Sequence, residues 1–124
     1  PNPKPQTPNP VICNLIVNTI FSIDKNINEE NQLEYYYRLA RVYDELNDFE
    51  KAILHYQKAI DLGKNATEYY AARAALQIGM IYERKGNKKT AIQYYQQCLD
   101  MENHDYKNSL DQRAKSGIAR CKGE

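Results

Sequence analysis

The stretch Tyr36-x-x-Leu39-Ala40-x-x-Tyr43, followed by Ala52-x-x-x-Tyr56-x-x-Ala59, decides the fold because the chain writes it twice. It returns as Ala75-x-x-Ile78-Gly79-x-x-Tyr82, followed by Ala91-x-x-x-Tyr95-x-x-Cys98. Three pairs keep the register: Tyr43 with Tyr82, Ala52 with Ala91, and Tyr56 with Tyr95, each 39 residues apart. Steps of three and four place such residues on one face of an α-helix. Small residues at Ala40, Gly79, Ala52 and Ala91 let two helices approach closely. The rings of Tyr43, Tyr56, Tyr82 and Tyr95 fill the gaps beside them. The stretch therefore predicts one helical hairpin used twice.

Working outward, Glu29 to Leu46 carries Leu33, Tyr36, Leu39, Ala40, Tyr43 and Leu46 at helical spacing. Asn47-Asp48 breaks that pattern, and Asp48 is placed to cap a second helix with Phe49, Ala52, Ile53, Tyr56, Ala59 and Ile60 inward. Gly63 is expected to end it in the left-handed conformation. A third helix is expected from near Asn65 or Thr67, with Tyr70, Ala71, Ala74, Ala75, Ile78, Gly79 and Tyr82 inward. Gly86-Asn87 turns the chain into a fourth, carrying Ala91, Ile92, Tyr95, Cys98 and Leu99. Leu110, Ala114, Ile118 and Cys121 mark a last helix. Upstream, Asn9-Pro10 reads as a helix start before Val11, Leu15, Ile16, Ile20 and Ile23. Connections this short make neighbouring helices antiparallel.

The repeated pattern resembles the tetratricopeptide repeat family, whose signature is W-x2-L-G-x2-Y followed by A-x3-F. The turns Leu46 to Ala52 and Lys85 to Ala91 are similar to that family's inter-helix turn, and the resemblance covers Leu33 to Asn103. It implies an all-α fold: a right-handed α-solenoid of antiparallel helix-turn-helix repeats, with about six helices or fewer. The family's period is about 34, so about five extra residues fall between Gly63 and Ala75, and a longer third helix is their expected home. Lys64 and Asn103 stand where a proline often ends the repeat.

The expected organisation is a Pro-rich linker over 1–9 and a helical domain over 10–124. Within the domain, 10–24 is the helix of a truncated upstream repeat, since Cys13, Val17 and Ile20 lie 39 residues before Ala52, Tyr56 and Ala59. Residues 29–63 and 65–102 are the two repeats. Residues 105–122 form a capping helix whose polar outer face is Asp111, Arg113, Lys115 and Arg120. Starting at Pro1, the 124 residues read as the C-terminal piece of a longer protein.

Composition narrows the function. Lys plus Arg number 17 against 16 Asp plus Glu, a net charge of +1 that gives no basic stripe for nucleic acid. The longest apolar run, Tyr69 to Ala72, is far too short to insert in a bilayer, and no leader is visible. Cys13, Cys98 and Cys121 form no Cys-x-x-Cys pair, and an odd count leans to a reducing, cytoplasmic setting. His55 has no ligand partner at metal spacing. His104-Asp105 after Cys98 falls short of the three or four ligands that zinc needs. No phosphate loop or hydrolase motif occurs, so neither an enzyme nor a cofactor is expected. Pro5-Gln6-Thr7-Pro8 fits either an adaptor ligand or an extended linker.

In the family it resembles, the concave face is lined by the first helix of each hairpin and commonly binds peptides. The residues beside the packed face are Glu34, Tyr37, Arg41 and Asp44, then Arg73, Gln77, Met80 and Arg84, then Lys115. Tyr and Arg make binding hot spots and Met adapts its shape, although ordinary solvated helix residues read the same way. One subfamily grips chaperone C-terminal carboxylates with Lys and Asn; the matching positions here are Tyr37 and Arg41, which argues against that clamp. The implied function is a non-catalytic module binding a protein or peptide. The alternative is a structural or self-associating segment that spaces or oligomerises a longer parent. Five of the 11 tyrosines, Tyr36, Tyr43, Tyr56, Tyr82 and Tyr95, take packing positions. Of the others, Tyr37 is the residue expected to face a ligand.

Overall fold

The computed structural model describes residues 32–64, 66, 68–102 and 104–123. These form five helices: α1 (Gln32–Glu45), α2 (Phe49–Gly63), α3 (Tyr70–Arg84), α4 (Lys88–Asp100) and α5 (Lys107–Lys122). Among the described residues there is no strand, and no helix is long and apolar enough to cross a membrane. The Pro-rich stretch over 1–9 and the helix expected over 10–24 lie outside the described residues.

Both hairpins close with the same turn. Asn47 and Gly86 adopt left-handed backbone at φ 62° and 81°. The N–H of Asp48 then bonds the Tyr43 carbonyl at 2.9 Å, as that of Asn87 bonds the Tyr82 carbonyl at 2.9 Å. This reach across the end of a helix satisfies a carbonyl with no partner inside it. The same two residues cap the next helix: Lys51 N donates to Asp48 Oδ1 at 3.3 Å, and Thr90 N donates to Asn87 Oδ1 at 3.2 Å. These turn positions recur at the 39-residue interval of the packing residues, with Gly86 in place of Asn47 and Asn87 in place of Asp48.

Successive helices pack against one another, and the first helices also touch, α1 on α3 and α3 on α5. α2 and α4 do not come as close to each other. Alternate helices thus form an inner layer of α1, α3 and α5 and an outer layer of α2 and α4. Ala40, Ala52, Ala75, Ala91 and Ala114 are fully buried between them, with the rings of Tyr56 and Tyr95. A Cβ on Gly79 would come within 2.7 Å of the Tyr95 ring, and one on Gly117 within 2.5 Å of its other edge. Tyr95 is held between α3 and α5 because both present glycine.

Two local expectations are corrected. The third helix starts at Tyr70, not near Asn65 or Thr67, and it has 15 residues like α2. The extra residues lie in the connection 64–69, where Ala66 N turns back onto the Gly63 carbonyl at 3.0 Å. Gly63 does not adopt the left-handed conformation; it ends α2 ahead of Lys64, which is itself helical at φ −60°. Its reason is space, since a Cβ there would meet Leu33 Cδ1 at 2.6 Å.

Candidate functional site

Helical steps place Arg73, Leu76, Met80 and Arg84 along one side of α3. Opposite them α5 presents Arg113, Ser116 and Arg120 around Gly117, whose lack of a side chain leaves room for the Tyr95 ring. Leu76, Met80, Gln112, Arg113, Ser116 and Arg120 line a groove of about 210 Å³ between α3 and α5. Leu76 is buried and Met80 half-buried, so the floor is apolar. Arg113 Nη2 lies 3.8 Å from Met80 Sδ. Arg120 grips Glu83 with two bonds, Nε to Oε2 at 3.0 Å and Nη2 to Oε1 at 3.2 Å. Tyr95 donates its hydroxyl to the same carboxylate at 2.6 Å. The Arg120 bonds, aided by that hydroxyl, hold the Glu83 carboxyl below its ordinary range despite some burial.

The aromatic end of this face begins at Tyr37. Its ring lies 5.3 Å from Tyr70, 6.0 Å from Tyr56 and 6.3 Å from Tyr69. Arg73 sits over Tyr69 at 5.9 Å, and Tyr106 meets Tyr69 edge-on at 5.4 Å. Burial raises the Tyr37 hydroxyl pKa, while the positive charges of Arg73, Arg41 and Arg113 pull it back down. One residue from each inner helix therefore acts on the same ring.

The nine expected site residues divide. Tyr37, Asp44 and Gln77 do not face solvent: they are 6%, 5% and 4% exposed. Tyr37 is covered by Tyr69 and Tyr70 at the start of α3, and Asp44 accepts the Tyr56 hydroxyl at 2.8 Å. Glu34 is engaged by Arg38 at 2.7 Å, and Arg41 by Glu45 at 2.8 Å and Asp44 at 3.5 Å. Met80 lines the groove, and Arg73 stands two turns before it on the same side of α3 without lining it. Arg84 and Lys115 are exposed but line no part of the groove.

The expected outer face of the last helix is also corrected. Arg113 and Arg120 turn toward α3, and Asp111 is tied to Lys107 at 3.0 Å. The signal for this was present in Arg113-x-x-Ser116-Gly117-x-x-Arg120, whose glycine marks α5 as a first helix and its neighbours as face residues.

A second groove, about 290 Å³, lies between α2 and α4, lined by Gln57, Thr90, Gln93, Tyr94 and Gln97. It is uncharged, and the Tyr94 hydroxyl donates across it to Gln57 Oε1 at 3.4 Å. Burial, with the nearby Asp111 charge, pushes the Cys98 thiol up to about 12, so it stays protonated at neutral pH. Among the described residues no three His, Cys, Asp or Glu side chains gather as metal ligands.

Sequence models of the tetratricopeptide repeat match residues 33–65 and 72–105, together more than half of the chain. Over 80 residues, 64% of this chain, the sequence is 32% identical to Anaphase-promoting complex subunit 6 of Dictyostelium discoideum. The chain spans 9% of that relative's length.

Proposed function

The chain belongs to the tetratricopeptide repeat family, and we propose that it is a non-catalytic module that binds a peptide or protein segment on the face shared by α1, α3 and α5. The observation that carries this reading is the α3–α5 groove, where an apolar floor of Leu76 and Met80 lies under a rim with Arg113. Arginine and methionine at the edge of a concave, partly apolar surface favour protein segments. In this reading 29–63 and 65–102 are the repeats, 105–122 closes the stack, and 10–24 belongs to an upstream unit. The relative's name makes it a subunit of a complex, which suits a chain that works by contact with other proteins.

The test is a displayed random-peptide library with photo-reactive groups placed at Met80 and, separately, at Gln93. Selected peptides should cross-link at Met80 and not at Gln93. Cross-links confined to Gln93 would move the site to the outer layer and overturn the reading.

A second reading, self-association, draws on Leu54 and Leu62 of α2, which are 55% and 50% exposed. Light scattering over a concentration range decides it, and a strict monomer removes it.

A further inference from the structure

The groove between α3 and α5 carries one hydroxyl, that of Ser116, and Ser116 is exposed. Arg113 stands three places before it and Lys115 directly before it. No other serine or threonine of the chain follows an arginine by three places. Serine kinases with an acidic substrate groove read basic residues at such places, because the charge pattern of a segment selects the enzyme. Gly117 follows Ser116 inside α5, and a glycine within a helix lowers the cost of opening it.

Helix geometry sets what a phosphate on Ser116 would meet. Residues three and four apart on a helix have Cβ atoms about 5–6 Å apart, so Arg113 and Arg120 flank Ser116 on one side of α5. A serine phosphate carries nearly two negative charges and several acceptor oxygens, and arginine pairs with it in a forked geometry. Arg113 bonds the Met80 thioether sulfur at 3.8 Å, a weak acceptor that a phosphate readily replaces. Arg120 holds the single charge of Glu83 on α3, against which a dianion on its own helix competes. The phosphate also borders the apolar floor of Leu76 and Met80. An apolar side chain entering there would strip it of water, which is costly for a charge.

We propose that Ser116 is a phosphorylation site for a basophilic serine kinase, and that its phosphate closes the α3–α5 groove to a protein segment. Arg113 and Arg120 hold the phosphate in place. The closure rests on the reading of that groove as the binding site. The kinase transfers the γ-phosphoryl group of ATP. A bond forms between Ser116 Oγ and the γ-phosphorus, the bond from that phosphorus to the oxygen shared with the β-phosphate breaks, and ADP leaves. The hydroxyl proton passes to the aspartate of the kinase's catalytic loop.

The full chain is incubated with ATP and the catalytic domain of a serine kinase that selects arginine three places before its target. Mass spectrometry should find phosphate on Ser116, and Arg113→Ala should remove most of it. Absence of phosphate there, or modification of Thr90 or Ser109 in its place, would overturn the proposal. Closure is read by fluorescence anisotropy with a library-selected peptide that cross-links at Met80. Full phosphorylation should weaken its binding at least about tenfold, and phosphatase should restore it. Kinase treatment of Ser116→Ala should leave that variant's affinity where it was. The same loss is expected when phosphoserine is installed at position 116 during translation, with helicity intact by circular dichroism. Unchanged affinity of the phosphorylated chain, with cross-links still at Met80, would overturn the closure while the binding face stands. Cross-links confined to Gln93 on the unmodified chain would overturn the binding face itself.

Discussion

The two hairpins share one lock and anchor it differently. In α1–α2, Tyr56 donates to Asp44, and in α3–α4, Tyr95 donates to Glu83; donor and acceptor are 12 residues apart in both. Asp44 is buried and its counter-charge, Arg41, comes from its own helix at 3.5 Å. Glu83 is reached instead by Arg120 of α5. The first lock holds a hairpin together, and the second ties the hairpin to the helix that follows. The longer Glu side chain makes this feasible, since it extends past the helix edge where Asp does not. Gly79 and Gly117 belong to the same difference, because they admit the Tyr95 ring between α3 and α5.

The largest effect is expected where the Tyr95 ring has no room to yield. Gly79→Leu should cost about 3 kcal/mol through overpacking, because Gly117 closes the opposite side. The thermal midpoint reads this, and an unchanged midpoint would mean that the ring is not held between α3 and α5. Next, Tyr56→Phe should cost about 2 kcal/mol by leaving buried Asp44 short of a donor. Tyr95→Phe should cost only about 1 kcal/mol, as Arg120 still satisfies Glu83. Urea unfolding separates the two, and equal costs would erase the contrast between buried and bridging acid.

Where the hairpins are alike, their responses should be alike. Asp48→Ala and Asn87→Ala each remove one helix cap and should each cost about 1 kcal/mol. A clear inequality in chemical denaturation would show that the equivalent turns are not energetically equivalent. The smallest effect concerns pH. Glu83 has a folded-state pKa held below its ordinary value of 4.5, chiefly by Arg120, so its contribution is complete above that value and is lost as pH falls through the folded one. Arg120→Gln should therefore flatten the acid side of the stability curve. An acid slope identical to wild type would argue that the bridge to α5 does not form in solution.

The helices and their turns were legible because local chemistry sets them. Apolar spacing, the caps at Asp48 and Asn87, and small residues opposite tyrosines all repeat at one interval. The lock was not: Asp44 reads as a residue of the binding face and Glu83 stands out in no motif, so only the structure joins them to Tyr56 and Tyr95. What helical periodicity cannot supply is the neighbour two helices away. Tyr37 lies beside the packed stripe of α1, and only the arrival of Tyr69 and Tyr70 covers it. Arg113 and Arg120 follow the polar side of an amphipathic helix, yet α5 packs against α3 so that this side borders the groove. The start of α3 was misplaced because the residues over 64–69 carry no strong breaker after Gly63.

The most direct test of the central claim, that the inner layer binds a protein segment, is amide hydrogen exchange of the chain with and without a saturating amount of a peptide selected from the displayed library. Added protection should centre on α3 from Arg73 to Met80 and on α5 from Arg113 to Arg120, with α2 and α4 little changed. Protection concentrated instead around Gln93 and Gln97 of α4, with α3 and α5 unaltered, would contradict it.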